Sequence, residues 1–224
     1  REHLADGSAK AVVLNSGNAN ACTGEEGLAN ARRMCGLTAE MLGLDAAEVL
    51  VCSTGVIGVQ LPMEAIETGI PQAAKVLSGK GGKDAAEAIM TTDTVPKIFA
   101  VEVEIAGVKV RIGGMAKGSG MIAPNMATML SVITTDADIA PELLRKQLGL
   151  AVLRSFNCIT VDGDMSTNDT VIVLANGASG APAIEGSGEA ADDFYAGLEM
   201  VCRELARLIA RDGEGATKLV SIRV

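Results

Sequence analysis

The stretch KIFAVEVEIAGVKVRIGGMAKG, residues 97 to 118, is where the fold can be read. Apolar and charged residues alternate on both sides of Ala106-Gly107, the period of a strand with one buried face. A small-residue break between two such runs marks a β-hairpin, and the spacing predicts Phe99 to Glu104 pairing with Val108 to Ile112. Upstream, KAVVL (10 to 14) reads as a buried strand ending at NSGNANACTG, and EVLVCSTGVIG as a second one running into a Gly-bounded turn. Between them, residues 25 to 42 place Leu28, Ala31, Met34, Cys35, Met41 and Leu42 at helical spacing. Pro62 fits the first turn of a helix through MEAIETGI, and a flexible, basic SGKGGKD separates it from a short helix ending near Met90. Downstream, ATMLSVITTDADI reads as a strand, and Pro141 opens a helix with Leu143, Leu144, Leu148, Ala151 and Val152 on one face. NCITVDGD and DTVIVLANG look like two more strands, and TKLVSIRV closes the chain as another. A helix over 188 to 211 carries Phe194, Leu198, Val201, Leu205 and Leu208 on one stripe. Residues 177 to 188, rich in Gly, Ala and Ser, are the one linker candidate. The expected class is α/β (α+β), with several strands, packed helices and more than one sheet.

The totals bound the function. At 224 residues, 48% hydrophobic and 21% charged, the chain is long enough and apolar enough for a sizeable core. Aromatic residues are only 2%, so Ala, Val, Ile, Leu and Met must fill that core. A net charge of −9 with no basic block argues against a nucleic-acid partner. No apolar run reaches bilayer length and no signal-peptide pattern opens the chain, so no membrane partner is expected. The chain begins at Arg1 rather than Met, and REHLADGSAKAVVLN reads like the middle of a protein, so a fragment or processed piece is expected. The five cysteines form no CxxC and lack the ligand cluster zinc requires, so reduced thiols packed in a cytoplasmic protein are expected.

Most enzyme chemistries fail on the residues present. His3 is the only histidine and lies at the extreme start, which argues against Ser-His-Asp and Cys-His triads and against multi-histidine metal sites. GKGGKD lacks the phosphate-loop spacing, and Lys83 is followed by Asp. GSGMIA matches a loose dinucleotide fingerprint, but Pro124 follows at once where a helix should open. DGDMSTND sets Asp162, Asp164 and Ser166 at alternate positions, yet Thr167 stands where a calcium loop needs Gly, and Val173 where it needs Glu. What remains is seven small-residue polar turns: NSGNANACTG, CSTGVIG, TTDTVPK, GGMAKGSG, PNMATML, DGDMSTNDT and RDGEGATK. Such turns can aim backbone N–H groups at a developing oxyanion. Thr128 stands at the head of the apolar run in PNMATML, behind a Gly- and Pro-rich loop. A hydroxyl needs a base to become a nucleophile, and an N-terminal Thr carries one in its own amine, of pKa about 7.7–8.0. Freeing that amine means breaking the peptide bond between Ala127 and Thr128, through attack of the Thr128 hydroxyl on the Ala127 carbonyl.

The motifs NSGNANACTG, STGVIG, TTDT, GMAKGSGMIAPNMATML, DGDMSTNDT and DGEGATK, in that order, resemble the ornithine acetyltransferase family (glutamate N-acetyltransferase, the bifunctional protein of arginine biosynthesis) over essentially the whole chain. The resemblance implies an N-terminal-nucleophile-like fold of the ornithine acetyltransferase/DmpA type. It implies a precursor cut between Ala127 and Thr128 into an α chain (1–127) and a β chain (128–224) that form one intertwined unit. It makes Thr128 the nucleophile, Thr54 and Gly55 the oxyanion hole, and Thr94, Lys117, Glu214 and Thr128 the substrate contacts. Lys117 and Glu214 suit the carboxylate and amine of an acetylated diamino acid. The implied reaction carries an acetyl group from N-acetylornithine to glutamate by a ping-pong route, without metal or organic cofactor. Some members also use acetyl-CoA as a co-substrate. The implied assembly is a heterotetramer of two α and two β chains. The family continues past TKLVSIRV with a segment that adds substrate contacts. Two rivals stand beside this reading: a self-processing aminopeptidase or amidase using the same Thr128, and a non-catalytic binding or assembly module.

Overall fold

The computed structural model describes residues 2–4, 7–123 and 129–222. The chain divides into two compact units, Arg1–Thr91 and Thr92–Val224. Both mix strands and helices, as the α/β expectation requires.

The first unit is built on a parallel pair. β1 (Ala11–Asn18) runs through the apolar KAVVL and on into the polar NSGN. It can do so because β2 (Val49–Val56) pairs with it residue by residue, from Ala11↔Val49 to Asn18↔Val56. A parallel pair needs a crossover, and α1 (Gly24–Leu42) supplies it. Glu25 and Glu26 lie in its first turn, where the helix dipole favours anions. Two further helices follow, α2 (Met63–Lys75), which Pro62 directly precedes, and α3 (Gly82–Ala88). Met34 and Leu37 pack with Leu61, Ile66 and Ile70, while Cys35 and Ala39 pack on Val49. The apolar stripe predicted for α1 needs one correction. Leu28 and Met41 are exposed, at 45% and 40%, while Met34, Cys35, Leu37 and Ala39 are the residues of this helix that pack in the core.

The second unit carries a four-stranded sheet in the order β3-β4-β5-β6. β3 (Lys97–Ile105) and β4 (Val108–Lys117) form the predicted hairpin, with both strands longer than predicted and paired from Ile105↔Val108 to Lys97↔Ala116. Its two-residue turn needs positive φ at both positions; Ala106 takes 50° and Gly107 takes 79°. β5 (Leu130–Thr135) pairs antiparallel with β4 from Lys117↔Leu130, and β6 (Thr170–Ala175) pairs parallel with β5 from Leu130↔Thr170. α4 (Pro141–Leu153) belongs to the same unit, and α5 (Glu189–Arg211) lies on the sheet. Val110, Ile112 and Ile133 of the sheet meet Phe194, Leu198, Val201 and Leu205 of α5 in one cluster. Each such side chain taken wholly out of water contributes about 1.5–3 kcal/mol. Leu208 is only half-buried; Ile209 completes the stripe.

Three other expectations are corrected in this unit. NCITVDGD is not a strand: Phe156–Cys158 is a 3-10 turn, and the rest is tied to residues 121 and 122. The Val161 N–H donates to the Ile122 carbonyl, and the Asp162 carboxylate accepts from the N–H groups of Met121 and Ile122. Side-chain caps here take the place of a ladder. TKLVSIRV shows no strand over residues 217 to 222, where Val220 and Ile222 are exposed; a strand pattern without a neighbouring strand has nothing to pair with. Residues 177 to 188 do not link the two units. They are held by a bridge between Ile139 and Ile184 and bury Ala181 and Ile184, while the division falls at Thr91 and Thr92. All five cysteines are free, but only Cys35, Cys52 and Cys202 are buried, so the expectation of packed thiols fails for Cys22 and Cys158. Burial pushes the Cys52 thiol up to about 11 and the Cys202 thiol up to about 12. Among the described residues no helix is long and apolar enough to cross a membrane.

Candidate active site

In the first unit, two of the polar turns lie side by side. NSGN of β1 and STGV of β2 meet at the carboxyl ends of the parallel pair, with Ser16↔Thr54 and Gly17↔Gly55. Carboxyl ends of parallel strands are where such sheets commonly hold ligands. Thr54 is only 1% exposed. Gly55 has φ 129°, and a Cβ there would lie 2.3 Å from the carbonyl carbon and oxygen of Gly17. Only glycine fits both constraints. Gly55→Ala is expected to cost roughly 2 kcal/mol or more, through backbone strain and overpacking. Urea denaturation should show a lower midpoint with an unchanged slope.

In the second unit, chain segments far apart in sequence converge on a buried charge cluster. Lys97 opens β3 and is fully buried, and its Nζ donates to Asp93 Oδ1 at 2.7 Å and to Asp212 Oδ2 at 2.6 Å. Asp93 Oδ1 also accepts the Gly118 N–H at 2.7 Å, and Asp93 Oδ2 lies 3.7 Å from Nζ of Lys117, the last residue of β4. Asp212, just past α5, accepts from both the N–H and the hydroxyl of Thr94. The Ser119 hydroxyl donates to the Asp212 carbonyl at 2.7 Å, and the Glu214 N–H donates to the Ser119 carbonyl at 2.9 Å. The Glu214 carboxylate rests against Gly120, where a Cβ would lie 2.4 Å from Oε2. The loop after β4, the turn after α5 and the turn before β3 are thereby one bonded assembly.

Burial and charge set the protonation of this assembly. Burial pushes the Lys117 ammonium down, and the Lys97 charge adds to that; Asp93 and Asp169 pull it back up. Burial raises the Asp212 carboxyl, but hydrogen bonds from Lys97 and Thr94 together outweigh it and hold the pKa below the ordinary carboxylate value. Asp169, in the turn before β6, has a carboxyl that burial raises to about 7, against the Met129 N–H, the Lys117 charge and the Ser166 hydroxyl.

The structure thus brings Thr94, Lys117 and Glu214 into one network. Thr54 and Gly55 belong to the first unit. Ala127 and Thr128 lie outside the described residues. Asp93, Lys97 and Asp212 were not singled out from sequence, although Asp93 and Lys97 stand in TTDTVPK and Asp212 in RDGEGATK, two of the polar turns. The calcium-like DGDMSTND is a polar turn: Asp162 serves the N–H groups of Met121, Ile122 and Asp164. Among the described residues no group of three His, Cys, Asp or Glu side chains is placed to hold a metal ion.

Comparison with known proteins extends this picture. The family model for ArgJ matches residues 1–224. The chain is 58% identical over 218 residues to the arginine biosynthesis bifunctional protein ArgJ of Symbiobacterium thermophilum, covering 97% of this chain and 54% of that protein. It is 54% identical over 223 residues to the ArgJ protein of Caldanaerobacter subterraneus subsp. tengcongensis, covering 100% and 55%. The chain therefore spans about half the length of the curated relatives it matches. Among solved structures, ArgJ from Bacillus halodurans is 46% identical, with a TM-score of 0.47 over 51% of this chain and 60% of that one. Ornithine acetyltransferase from Mycobacterium tuberculosis, solved with ornithine, is 40% identical, with a TM-score of 0.47 over 55% and 66%. With a family model matched from end to end and these levels of identity, the chain belongs to the ArgJ family.

Proposed function

We propose that the protein transfers acetyl from N-acetylornithine to glutamate through an acetyl ester on Thr128, in arginine biosynthesis. The observation that carries the reading is the network joining Thr94, Lys117 and Glu214. It offers an ammonium to a substrate carboxylate and a carboxylate to a substrate amine, in a chain whose relatives are named for arginine biosynthesis. The precursor is cut between Ala127 and Thr128, and the freed amine acts as base. It takes the Thr128 hydroxyl proton as the oxygen bonds to the acetyl carbon. It then gives that proton to the ornithine nitrogen as the amide breaks. Glutamate reverses the sequence and leaves acetylated, and the oxyanion of each step is held by the Thr54 hydroxyl and the Gly55 N–H. The cut would fall between β4 and β5, which are paired from Lys117↔Leu130 to Ile112↔Thr135, and this supports α and β portions that stay associated. An assembly of two α and two β chains, a cytoplasmic site of action, independence from cofactors and use of acetyl-CoA by some members belong to the same reading.

The assay is ornithine release from N-acetylornithine with and without glutamate. Glutamate-dependent release with formation of N-acetylglutamate is expected. Release of free acetate independent of glutamate would favour the self-processing amidase, and no turnover with an uncut chain would favour the binding module. Gly120→Ala is a finer probe, because it displaces the Glu214 carboxylate without changing a charge. It is expected to raise KM for N-acetylornithine about tenfold while kcat stays within about twofold, as loss of uniform binding requires.

A further inference from the structure

Asp212 has no role in that scheme, yet it stands between the buried Lys97 and an exposed substrate contact, Thr94. The Lys97 Nζ is bonded to Asp93 Oδ1 at 2.7 Å, to Asp212 Oδ2 at 2.6 Å and to the Val95 carbonyl at 3.3 Å. Those bonds use all three hydrogens of an ammonium. Asp212 Oδ2 also takes the Thr94 N–H at 2.9 Å, and Oδ1 takes the hydrogen of the Thr94 hydroxyl. The backbone of Asp212 is fixed as well, its carbonyl accepting from the Ser119 hydroxyl. An ionised carboxylate can only accept hydrogen bonds. Asp212 is ionised: burial raises its carboxyl, but hydrogen bonds from Lys97 and Thr94 hold it below the ordinary range. The one hydrogen of the Thr94 hydroxyl is thereby directed inward, and what this threonine shows a ligand is lone pairs. We propose that Asp212 is a positioning residue that makes Thr94 an acceptor only, so that Thr94 selects a substrate presenting an N–H to it. The inference rests on the proposed acetyl transfer and deepens it. With Lys117 meeting the substrate carboxylate and Glu214 its free amine, the N–H left for Thr94 is that of the acetyl amide.

Asp212→Asn inverts this polarity without changing the shape of the side chain. Two donors, Lys97 Nζ and the Thr94 N–H, converge on the Oδ2 position, so the amide oxygen belongs there. The amide NH2 then falls at the Oδ1 position and donates to the Thr94 oxygen. The Thr94 hydroxyl must send its hydrogen outward, toward the substrate. An amide N–H facing it is mispaired, whereas an ester oxygen in the same place is matched. Lys97 keeps its bond to Asp93 throughout.

The test uses Asp212→Asn, Thr94→Val and the double variant of the expressed protein. The measurement is kcat/KM for N-acetylornithine and for its ester analogue, 2-acetoxy-5-aminopentanoate. Asp212→Asn is expected to lower the value for N-acetylornithine about tenfold or more, the size of a mispaired hydrogen bond, and to leave the ester within about twofold or improve it. The greater intrinsic reactivity of an ester is the same in every variant and cancels. Thr94→Val should lose the preference for the amide, and Thr94→Ser should keep it. Once Thr94 is valine, Asp212→Asn should have little further effect, because the carboxylate acts through that hydroxyl. Thr94→Val and Thr94→Ser leave the Lys97–Asp212 pair in place, so they test the claim even where Asp212→Asn does not fold. Equal losses for amide and ester in Asp212→Asn would overturn the inference, as would the full loss repeated in the Thr94→Val background or an unchanged value for N-acetylornithine. Wild-type protein that moves no acetyl group from N-acetylornithine to glutamate would instead overturn the reading on which the inference stands.

Discussion

Replacing Lys97 with methionine is expected to lower stability by about 3–5 kcal/mol, the cost of breaking a buried ion pair from one side. The Lys97 side chain is fully buried, and it binds the carboxylates of Asp93 and Asp212, whose side chains are 0% and 8% exposed. Without it, both charges stay out of water, and the Lys117 ammonium, at 3.7 Å from Asp93, is a weaker substitute. Lys97→Arg is not expected to rescue, because a planar guanidinium does not fit a slot shaped for an ammonium. Removing a carboxylate as well, in Lys97→Met with Asp93→Asn, should recover part of the loss, and a double-mutant cycle in urea measures the coupling. The pH dependence has a definite sign. The Asp212 pKa in the folded state is held below its unfolded value of about 3.9, so its contribution is complete above that value. It is lost as pH falls through the folded pKa. Lys97→Met should therefore resemble wild type most closely under acid conditions.

Thr128→Ala is expected to abolish cleavage and to reduce acetyl transfer on the order of 10⁴-fold or more, the loss seen when a nucleophile is removed from a unit that works together. Ornithine release at high enzyme concentration reads the loss of transfer, and intact-protein mass the loss of cleavage. A variant that retained turnover would remove Thr128 from the chemistry.

The fold was legible where local chemistry decides it. Ala106-Gly107 can make only a tight turn between its two alternating runs, and Pro141 can only open a helix. The stripe through Phe194, Leu198, Val201 and Leu205 finds the helix that covers the sheet. Where a partner decides, sequence was a poorer guide. TKLVSIRV has a strand-like composition, but among the described residues no strand pairs with it, and NCITVDGD is claimed by the caps that Asp162 gives to Met121 and Ile122. The candidate site divides in the same way. Thr54, Gly55, Thr94, Lys117 and Glu214 came from the motifs of a family, because the turns that hold them are short and specific. Lys97 was invisible: a lysine that opens a strand looks like any exposed lysine until Asp212, 115 positions on, is folded against it. Asp169 was read only as part of a polar turn, since nothing in DGDMSTNDT shows that one oxygen would be buried without a partner.

The most direct test of acetyl transfer through Thr128 is mass spectrometry of the expressed protein mixed with N-acetylornithine, before and after glutamate is added. Two chains are predicted, the second beginning at Thr128 and carrying one acetyl group on that residue, which glutamate then removes. An uncut chain, or an acetyl group on any other residue that glutamate does not remove, would contradict the account.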